Sequence, residues 1–294
     1  MTNDSIHSAD WLDLGWSDWR SLDPGEGALS AIPTDEGIYR VRHPEYRGLV
    51  YVGETGRSTR GRIRSLARGT YADEMPFGDP HTAAPCLWAI RDADGSAFEV
   101  SYTTPSIAED DQQRKGIEAA LIARHRREIE RSPIANFGRI IEGYEQSSYS
   151  KDARRGGQLS PDETEPNAAE GIGPTEWRNA EDVIDREWMS LRWSEPSRLT
   201  DRLDASPPRN GIYRIWYEGE TPPLAYIGES SDVPSRLYAH EQTFGEDALF
   251  ATVDRPDLDA RHKRQEIETE LIGAHYFAHD RTPLTQFGYD LDRP

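Results

Sequence analysis

Short apolar segments occur along this 294-residue chain, and the same series of segments occurs twice. Each series begins with a pair of tryptophans and continues with stretches rich in β-branched and aromatic residues, which predict strands. We interpret each series as a helical lead-in, two strands, a helix, a third strand and a second helix. The predicted strands are 37–42, 49–52 and about 98–102 in the first half, and 211–217, 224–227 and 249–253 in the second.

The repetition extends to particular residues. Gly-Ile-Tyr-Arg stands at 37–40 and again at 211–214. Each copy is followed by a Tyr-x-Gly triplet, an arginine, a helix-like stretch that contains a glutamate, and a closing Phe-Gly. Those glutamates, Glu118 and Glu268, precede their Phe-Gly by the same interval. Two ordered sets of this kind indicate a tandem duplication of one domain.

The repeat predicts two small domains, 8–144 and 186–292, of the α/β (α+β) class. Each should have a short, mainly antiparallel sheet flanked by helices. The intervening residues 145–185 are rich in glycine, proline and acidic side chains, so we predict a flexible acidic linker. The first copy is longer than the second, and we place an insertion at about 66–97, which includes a short extra helix.

Composition limits the class of protein. A single cysteine, Cys86, excludes an intrachain disulfide and a cysteine-rich zinc site, and it fits a cytoplasmic location. No apolar run is long enough to span a membrane, so we expect no membrane partner. The net charge of −19 argues against a nucleic-acid partner, because phosphates repel an acidic protein.

The acidity has a second interpretation. Lysine occurs only at positions 115, 151 and 263, whereas arginine is abundant. Many carboxylates with almost no lysine resemble the proteins of salt-loving microbes. In concentrated salt the Debye length falls to about 3 Å, so net charge says little about partners. Local basic patches then matter more than the total charge.

The repeated residues resemble, in order and rough spacing, the signature of the GIY-YIG nucleases. This family includes homing endonucleases, excision-repair nucleases and some restriction enzymes. The resemblance implies a metal-dependent endonuclease that hydrolyses phosphodiester bonds in nucleic acid, with DNA as the expected substrate and Mg²⁺ or Mn²⁺ as cofactor. The matching catalytic positions are Tyr39, Tyr51, Arg62, Glu118 and Asn136 in the first copy, and Tyr213, Tyr226, Arg236, His240 and Glu268 in the second.

The carboxylates and arginines of the motif suit this chemistry. Cleavage of a phosphodiester needs an activated water, stabilisation of added negative charge and help for the leaving oxygen. Glu118 and Glu268 each offer one carboxylate, which suits Mg²⁺ when phosphate oxygens and waters complete its coordination. Arg62 and Arg236 offer planar, permanently charged groups to the phosphate. In the first copy Arg60 competes with Arg62 for this assignment, because the spacing from the Tyr-x-Gly triplet is one residue longer.

The four motif tyrosines carry the remaining chemistry. Tyr39 and Tyr213 would act as general bases if a metal and an arginine lower their pKa from the usual value near 10. Tyr51 and Tyr226 would position water or phosphate beside them. The alternative is that all four are half-buried core residues with a hydroxyl at the edge. Agreement between the motif and the repeat favours the functional interpretation.

The two copies differ at two positions of the motif. His240 follows Arg236 by one helical turn and resembles a histidine that some family members use near the scissile phosphate, whereas the first copy has Leu66 there. Asn136 matches the late asparagine of the family, whereas the second copy has Gln286. A glutamine reaches the same hydrogen bonds with a longer arm. Each copy therefore lacks one accessory group.

Basic residues concentrate in the first copy, without acidic residues between most of them. A solvated helix face is the ordinary explanation, but in so acidic a chain a phosphate-contacting surface is the better interpretation. A non-catalytic nucleic-acid-binding protein that retained the fold is the alternative function. The sequence leaves the oligomeric state open, a monomer with two pseudo-symmetric domains being one form. The predicted nucleic-acid-binding residues are Arg57, Arg60, Arg64, Arg68, Arg114 and Lys115.

Overall fold

The chain divides into two compact units. The computed structural model describes residues 5–148, 153–219 and 224–288. The first unit consists of Met1–Arg114 and His125–Glu170, and the second of Lys115–Arg124 and Gly171–Pro294. Residues 149–152 of the predicted linker and 289–292 of the predicted second domain lie outside the described residues.

An antiparallel sheet organises the first unit. Its four strands have the order β1–β4–β2–β3, so β2, which carries Gly-Ile-Tyr-Arg, lies inside the sheet. A small hairpin, β5–β6, follows later in the chain. The elements are β1 (Arg20–Ser21), β2 (Gly37–Arg42), β3 (Tyr51–Thr55), α1 (Thr59–Thr70), α2 (Ala84–Asp94), β4 (Glu99–Thr103), α3 (Asp111–Ile129), β5 (Tyr144–Glu145) and β6 (Gly157–Gln158).

The second unit repeats this sheet. Its strands have the order β7–β10–β8–β9, which is the order of the first sheet, and all of its pairings are antiparallel. The predicted α+β class with antiparallel sheets is confirmed. The elements are β7 (Ser197–Arg198), α4 (Arg202–Ala205), β8 (Gly211–Trp216), β9 (Leu224–Ser230), α5 (Val233–Phe244), β10 (Leu249–Val253) and α6 (Arg261–His279).

The helices that follow the edge strands begin at side-chain caps. Ser58 accepts a hydrogen bond from the Gly61 amide at the start of α1. Asp232 accepts one from the Ser235 amide at the start of α5. Such caps satisfy amide groups that have no partner inside the helix. Each cap therefore fixes the residue at which the motif arginine and its neighbours enter the helix.

The tryptophan lead-ins, which we predicted to be helical, are short 3₁₀ turns, Trp11–Asp13 and Trp188–Ser190. Each turn contains residues with positive φ, Leu12 in the first copy and Met189 in the second. An α-helix cannot continue through that backbone conformation, so the lead-ins stay short.

Each lead-in packs on the arginine of Gly-Ile-Tyr-Arg. Arg40 is fully buried, and its guanidinium carbon lies 4.2 Å from the centre of the Trp16 ring. Its two terminal nitrogens each donate a hydrogen bond of 2.7 Å, one to the carbonyl of Ile6 and one to that of Ser8. Burial lowers the pKa of Arg40 to about 9. Arg40 therefore ties the lead-in to the central strand.

Arg214 has the same surroundings in the second unit. It is fully buried, 4.2 Å from the centre of the Trp193 ring. It donates hydrogen bonds to the carbonyl oxygens of Val183, Ile184 and Asp185. Burial lowers its pKa to about 9 as well. The arginine of the repeated motif therefore stabilises the fold in both copies.

The two units differ in the segment after the first helix. An extra helix, α2, follows α1 and packs on it in the first unit. In the second unit, by contrast, α5 is followed directly by β10. No helix in the described parts of the chain is both long and apolar enough to cross a membrane.

The predicted linker has hydrogen-bonded contacts within each unit over its described part. In the first unit, the Ile140 amide donates to the carbonyl of Asn167. In the second unit, Glu266 accepts from the Ile172 amide, and the indole of Trp177 donates to Glu270. The chain passes from the first unit to the second for the last time between residues 170 and 171. The flexibility of this segment and the domain boundaries stay predictions.

Candidate active site

The glycine of the Tyr-x-Gly triplet makes room for the two motif tyrosines. Tyr39 on β2 pairs with Gly53 on β3, and a Cβ atom at Gly53 would lie 2.5 Å from the Tyr51 ring and 2.9 Å from the Tyr39 ring. Only glycine therefore allows both rings to lie over the strand, 5.8 Å apart. The second unit repeats the arrangement with Tyr213, Tyr226 and Gly228, its ring centres 6.1 Å apart.

Helix α5 adds an arginine and a histidine to the second tyrosine pair. The hydroxyl of Tyr213 lies 3.0 Å from Nε2 of His240. The ring of His240 also contacts that of Tyr226, with centres 4.8 Å apart. The guanidinium of Arg236, one turn earlier on the exposed side of α5, lies beside both tyrosine hydroxyls. Burial, and then Arg236, lower the pKa of His240 to about 4, so the imidazole is neutral above that pH.

Glu268 on α6 completes the cluster of the second unit. Its Oε1 accepts a hydrogen bond of 3.2 Å from the Glu229 amide. Burial, and then the negative charge of Glu229, raise the pKa of Glu268 to about 8. Burial, and then the charge of Glu268, raise the pKa of Tyr226, whereas the pKa of Tyr213 is raised by burial first, then by Tyr226 and least by Glu268. All five residues predicted for the second copy therefore lie together.

The pKa of Glu268 predicts a pH-dependent effect of Glu268→Gln on stability. A carboxyl whose folded pKa is raised stabilises the fold at low pH, and this contribution is lost as pH rises towards about 8. Without metal, the variant should therefore gain melting temperature relative to wild type between about pH 5 and pH 8 and keep that gain at higher pH. Thermal melts in EDTA across this range measure the difference, and a difference that is constant with pH would contradict the assignment.

A second carboxylate beside the cluster was not predicted from the sequence. Glu229 directly follows the Tyr-x-Gly triplet and is bound by Arg264, Nε to Oε2, at 2.8 Å. Glu54 occupies the matching position in the first copy and is bound by Arg114 at 2.6 Å. The signal was available, because a glutamate follows the triplet in both copies. Each pair joins the edge strand to the start of the long helix.

This pairing corrects the prediction that Arg114 binds nucleic acid. Its side chain is 3% exposed, and it donates to Glu54, to Asp111 and to the carbonyl of Ala108. Its hydrogen-bonding capacity is used inside the protein, and a buried arginine cannot reach a phosphate. A structural role for Arg114 replaces the predicted one.

The first unit has its own cluster around Tyr39. The hydroxyl of Tyr39 lies 2.6 Å from Nε2 of His81, whose ring also contacts that of Tyr51 at 5.4 Å between centres. The half-buried Arg62 donates to the carbonyl of Pro80, and its charge helps burial to lower the pKa of His81 to about 3. The assignment of Arg62 rather than Arg60 is consistent with this position, since Arg60 donates instead to the carbonyl of Ile32. His81 was not predicted from the sequence.

Glu118 is half-buried on α3, at the position that corresponds to Glu268 on α6. It belongs to Lys115–Arg124, the segment that groups with the second unit, where its neighbour Ala119 joins the apolar core. Tyr39, Tyr51, Arg62 and His81 form the cluster that lies wholly within the first unit. The convergence of Glu118 with Tyr39 stays a prediction.

Asn136 does not present its amide to the site. Its Oδ1 accepts from the Val52 amide at 3.1 Å, and its Nδ2 donates to the Val52 carbonyl at 2.8 Å. Gln286 makes the same two hydrogen bonds with Ile227, at 3.0 and 3.1 Å. Both amides therefore cover the outer edge of the strand that carries the second tyrosine. The catalytic role predicted for Asn136 is replaced by support of that strand.

The remaining predicted DNA-contacting residues are placed differently from one another. Arg57, Arg64 and Arg68 are exposed. Arg64 and Arg68 line a groove of about 660 Å³, together with Ser30 and Tyr71. Lys115 is half-buried, with its ammonium 5.6 Å from the centre of the Phe287 ring.

The cluster of the second unit fits a divalent cation held by few protein ligands. In the described parts of the chain, no group of three or more histidine, cysteine, aspartate and glutamate side chains is arranged to bind a metal. Burial, and then the nearby charge of Glu229, raise the pKa of Glu268, and a cation bound there would favour the ionised carboxylate. Mg²⁺ is commonly bound by one or two carboxylates when substrate phosphates and waters complete the set.

Comparisons with protein-family models, with curated proteins and with solved structures give no match for this chain.

Proposed function

We propose that this protein is a metal-dependent endonuclease that hydrolyses phosphodiester bonds in nucleic acid, with DNA as its substrate. The observation that carries the proposal is the meeting of Tyr213, Tyr226, Arg236, His240 and Glu268 from two strands and two helices. A base, a cationic phosphate ligand and a carboxylate for a metal are the groups that phosphodiester hydrolysis requires. The motif resemblance supports the same reaction.

Each of the five clustered residues of the second unit has a definite part in the proposed mechanism. Arg236 is exposed and binds the scissile phosphate with its planar guanidinium. Tyr226 orients the attacking water beside that phosphate. A divalent cation bound at Glu268 would neutralise charge that develops on the phosphate oxygens. Glu268 is ionised only above its raised pKa of about 8 unless a cation stabilises the carboxylate.

The proton of the attacking water passes to Tyr213. Burial raises the pKa of Tyr213 above its usual range, so the phenol needs help to act as a base. Arg236 beside the hydroxyl lowers that pKa, and Tyr213 passes its own phenolic proton to the unprotonated Nε2 of the neutral His240 as it takes the proton of the water. His240 is only half-buried, so it returns the proton to solvent.

The exposed arginines of α1 form the proposed path of the nucleic-acid backbone. Arg64 and Arg68 are one helical turn apart and lie along one wall of a groove in the first unit. Their guanidinium groups suit phosphate oxygens, and Tyr71 in the same groove offers an aromatic edge. In concentrated salt these local contacts outweigh the net negative charge of the chain.

Removal of these two charges should weaken DNA binding in a salt-dependent way. Arg64→Gln and Arg68→Gln should each reduce the slope of log affinity against log salt concentration by about one unit. Fluorescence anisotropy with a labelled duplex at several KCl concentrations measures this slope. Arg192→Gln, at an exposed arginine of the second unit, is the matched control and should leave the slope nearly unchanged. Equal losses for all three variants would contradict the assigned path.

A non-catalytic nucleic-acid-binding protein is the second candidate. The raised pKa of Tyr213 favours it, because burial opposes the ionisation that a general base needs. A plasmid assay with added Mg²⁺ distinguishes the two functions. A nuclease converts supercoiled DNA to nicked and linear forms when Mg²⁺ is added, whereas a binding protein retards the DNA and leaves its topology intact.

A further inference from the structure

The first unit has an apolar residue on α1 where the second unit has a histidine on α5. Leu66 corresponds to His240, and it is fully buried in a core that also contains Leu87 and Ile90 of α2. Helix α2 packs on α1, and a Cβ atom at Gly69 would lie 2.6 Å from Ala84. A histidine at position 66 would be buried beneath the extra helix. Leu66 shares its apolar core with Tyr39 and Tyr51 but has no polar atom that could bond their hydroxyls.

The insertion that contains the extra helix supplies a different histidine to the tyrosine pair of the first unit. His81 lies three residues before α2, and its ring reaches both tyrosines of the first unit. Its ring centre is 6.1 Å from that of Tyr39 and 5.4 Å from that of Tyr51. The corresponding distances from His240 are 5.4 Å to Tyr213 and 4.8 Å to Tyr226. In each unit, Nε2 of a histidine meets the hydroxyl of the first motif tyrosine.

The hydrogen bonds of His81 define its tautomer. The Ala83 amide donates to Nδ1 of His81 at 3.2 Å, so Nδ1 carries no proton. A neutral imidazole then carries its proton on Nε2, and Nε2 donates to the Tyr39 oxygen. The buried ring, 1% exposed and near the positive charge of Arg62, stays neutral throughout the ordinary pH range.

We propose that His81, supplied by the insertion, is the positioning residue of Tyr39 in the unit whose α1 lacks a histidine. It donates to the oxygen of Tyr39, whereas His240 accepts the proton of Tyr213 in the proposed mechanism. The fixed Nε2–H holds the Tyr39 oxygen and stabilises its ionised form, because a donor to a phenolate favours the phenolate. In the titration, hydroxide from the solvent takes the proton of Tyr39, and His81 remains neutral. Charged and titratable groups around the pair include Tyr51 on β3 and Arg62 on α1, both retained in the test. The positioning role itself does not depend on the proposed nuclease function. Its consequence, a second active site in the first unit, rests on that function.

Tyrosine ionisation tests the inference without any substrate. Incorporation of 3-fluorotyrosine makes the phenols more acidic, and ¹⁹F NMR resolves their ionisation at pH values that the fold tolerates. The resonance of Tyr39 is identified by its loss in Tyr39→Phe. His81→Phe should move the ionisation of Tyr39 about one pH unit higher, the equivalent of one hydrogen bond to a charged oxygen. His81→Gln, which retains a donor, should restore part of the shift.

Two controls separate positioning from a general structural effect. His43→Phe removes another buried histidine of the first unit, one that bonds the Gly95 carbonyl, and should leave Tyr39 unchanged. The ionisation of Tyr213 should be unaffected by every variant at position 81. An unchanged Tyr39 in a folded His81→Phe protein would overturn the proposal.

The wild-type protein provides a further measurement if His81→Phe does not fold. ¹⁵N NMR of labelled histidine should show His81 protonated at Nε2 and unprotonated at Nδ1, and the opposite tautomer would overturn the proposal. If the tyrosine shift appears but no DNA is cut by any form of the protein, the positioning role stands and the nuclease proposal fails. If wild type cuts DNA but the ionisation of Tyr39 does not change with the residue at position 81, the nuclease proposal stands and the positioning role of His81 fails.

Discussion

A protein with Glu268→Gln is expected to stop at nicked circles on supercoiled DNA, because its second unit no longer cuts. Glutamine keeps the shape of the side chain, and its oxygen still accepts a weaker hydrogen bond from the Glu229 amide. The negative charge that would bind a cation is lost. Loss of a charge that acts on the developing phosphate should slow formation of linear product about a thousandfold or more. The first unit, with Tyr39, Arg62 and His81, still cuts one strand.

The double variant Glu118→Gln with Glu268→Gln should leave supercoiled DNA intact. Glu246→Gln, at an exposed position after α5, is the control and should cut as wild type does. Agarose gels of a plasmid time course separate supercoiled, nicked and linear forms. Linear product at the wild-type rate from Glu268→Gln would show that the cluster of the second unit is not catalytic. Complete loss of nicking in that single variant would assign all cleavage to the second unit.

Arg214→Met is expected to cost about 3 kcal/mol or more in the free energy of unfolding. The substitution keeps apolar contact with Trp188 and Trp193 but leaves one buried and two partly buried carbonyl oxygens without their donor. Each unsatisfied buried polar group costs about 1–3 kcal/mol. The side chain of Arg214 connects β8 to the lead-in, so the substitution should destabilise the whole second sheet.

The matched control for this prediction is Arg209→Met, at an exposed position just before β8. A surface change of that kind should alter the unfolding free energy by less than about 0.5 kcal/mol. Urea denaturation in the same salt, followed by tryptophan fluorescence, measures both variants. Equal stabilities for the two variants would mean that the guanidinium–carbonyl contacts contribute nothing to the fold.

Much of the fold was predictable because the chain repeats itself. The central strand Gly37–Arg42 was located to the residue, since β-branched and aromatic side chains and a fixed motif coincide there. The lead-ins were predicted only as helical, and their shortness was not predictable, because the positive φ of Leu12 and Met189 is not encoded by either residue type.

The site was predictable to the extent that its residues stand in the repeat. The second cluster follows from the motif, whereas His81 has no counterpart in the second copy and no periodic position in the first. Charge alone misled at Arg114, because an arginine within a basic run can equally be buried against a carboxylate. Asn136 was misassigned because its late position in the motif does not tell which backbone group its amide meets.

The most direct test of the central claim is the metal dependence of plasmid cleavage by the wild-type protein in concentrated KCl. Supercoiled, linear and branched DNA are incubated with Mg²⁺, with Mn²⁺ and with EDTA. A metal-dependent nuclease gives nicked and then linear plasmid in the presence of either metal, and leaves supercoiled plasmid intact in EDTA. Intact DNA of all three forms with both metals, from a folded protein that still binds the DNA, would rule out the nuclease and leave a nucleic-acid-binding protein in its place.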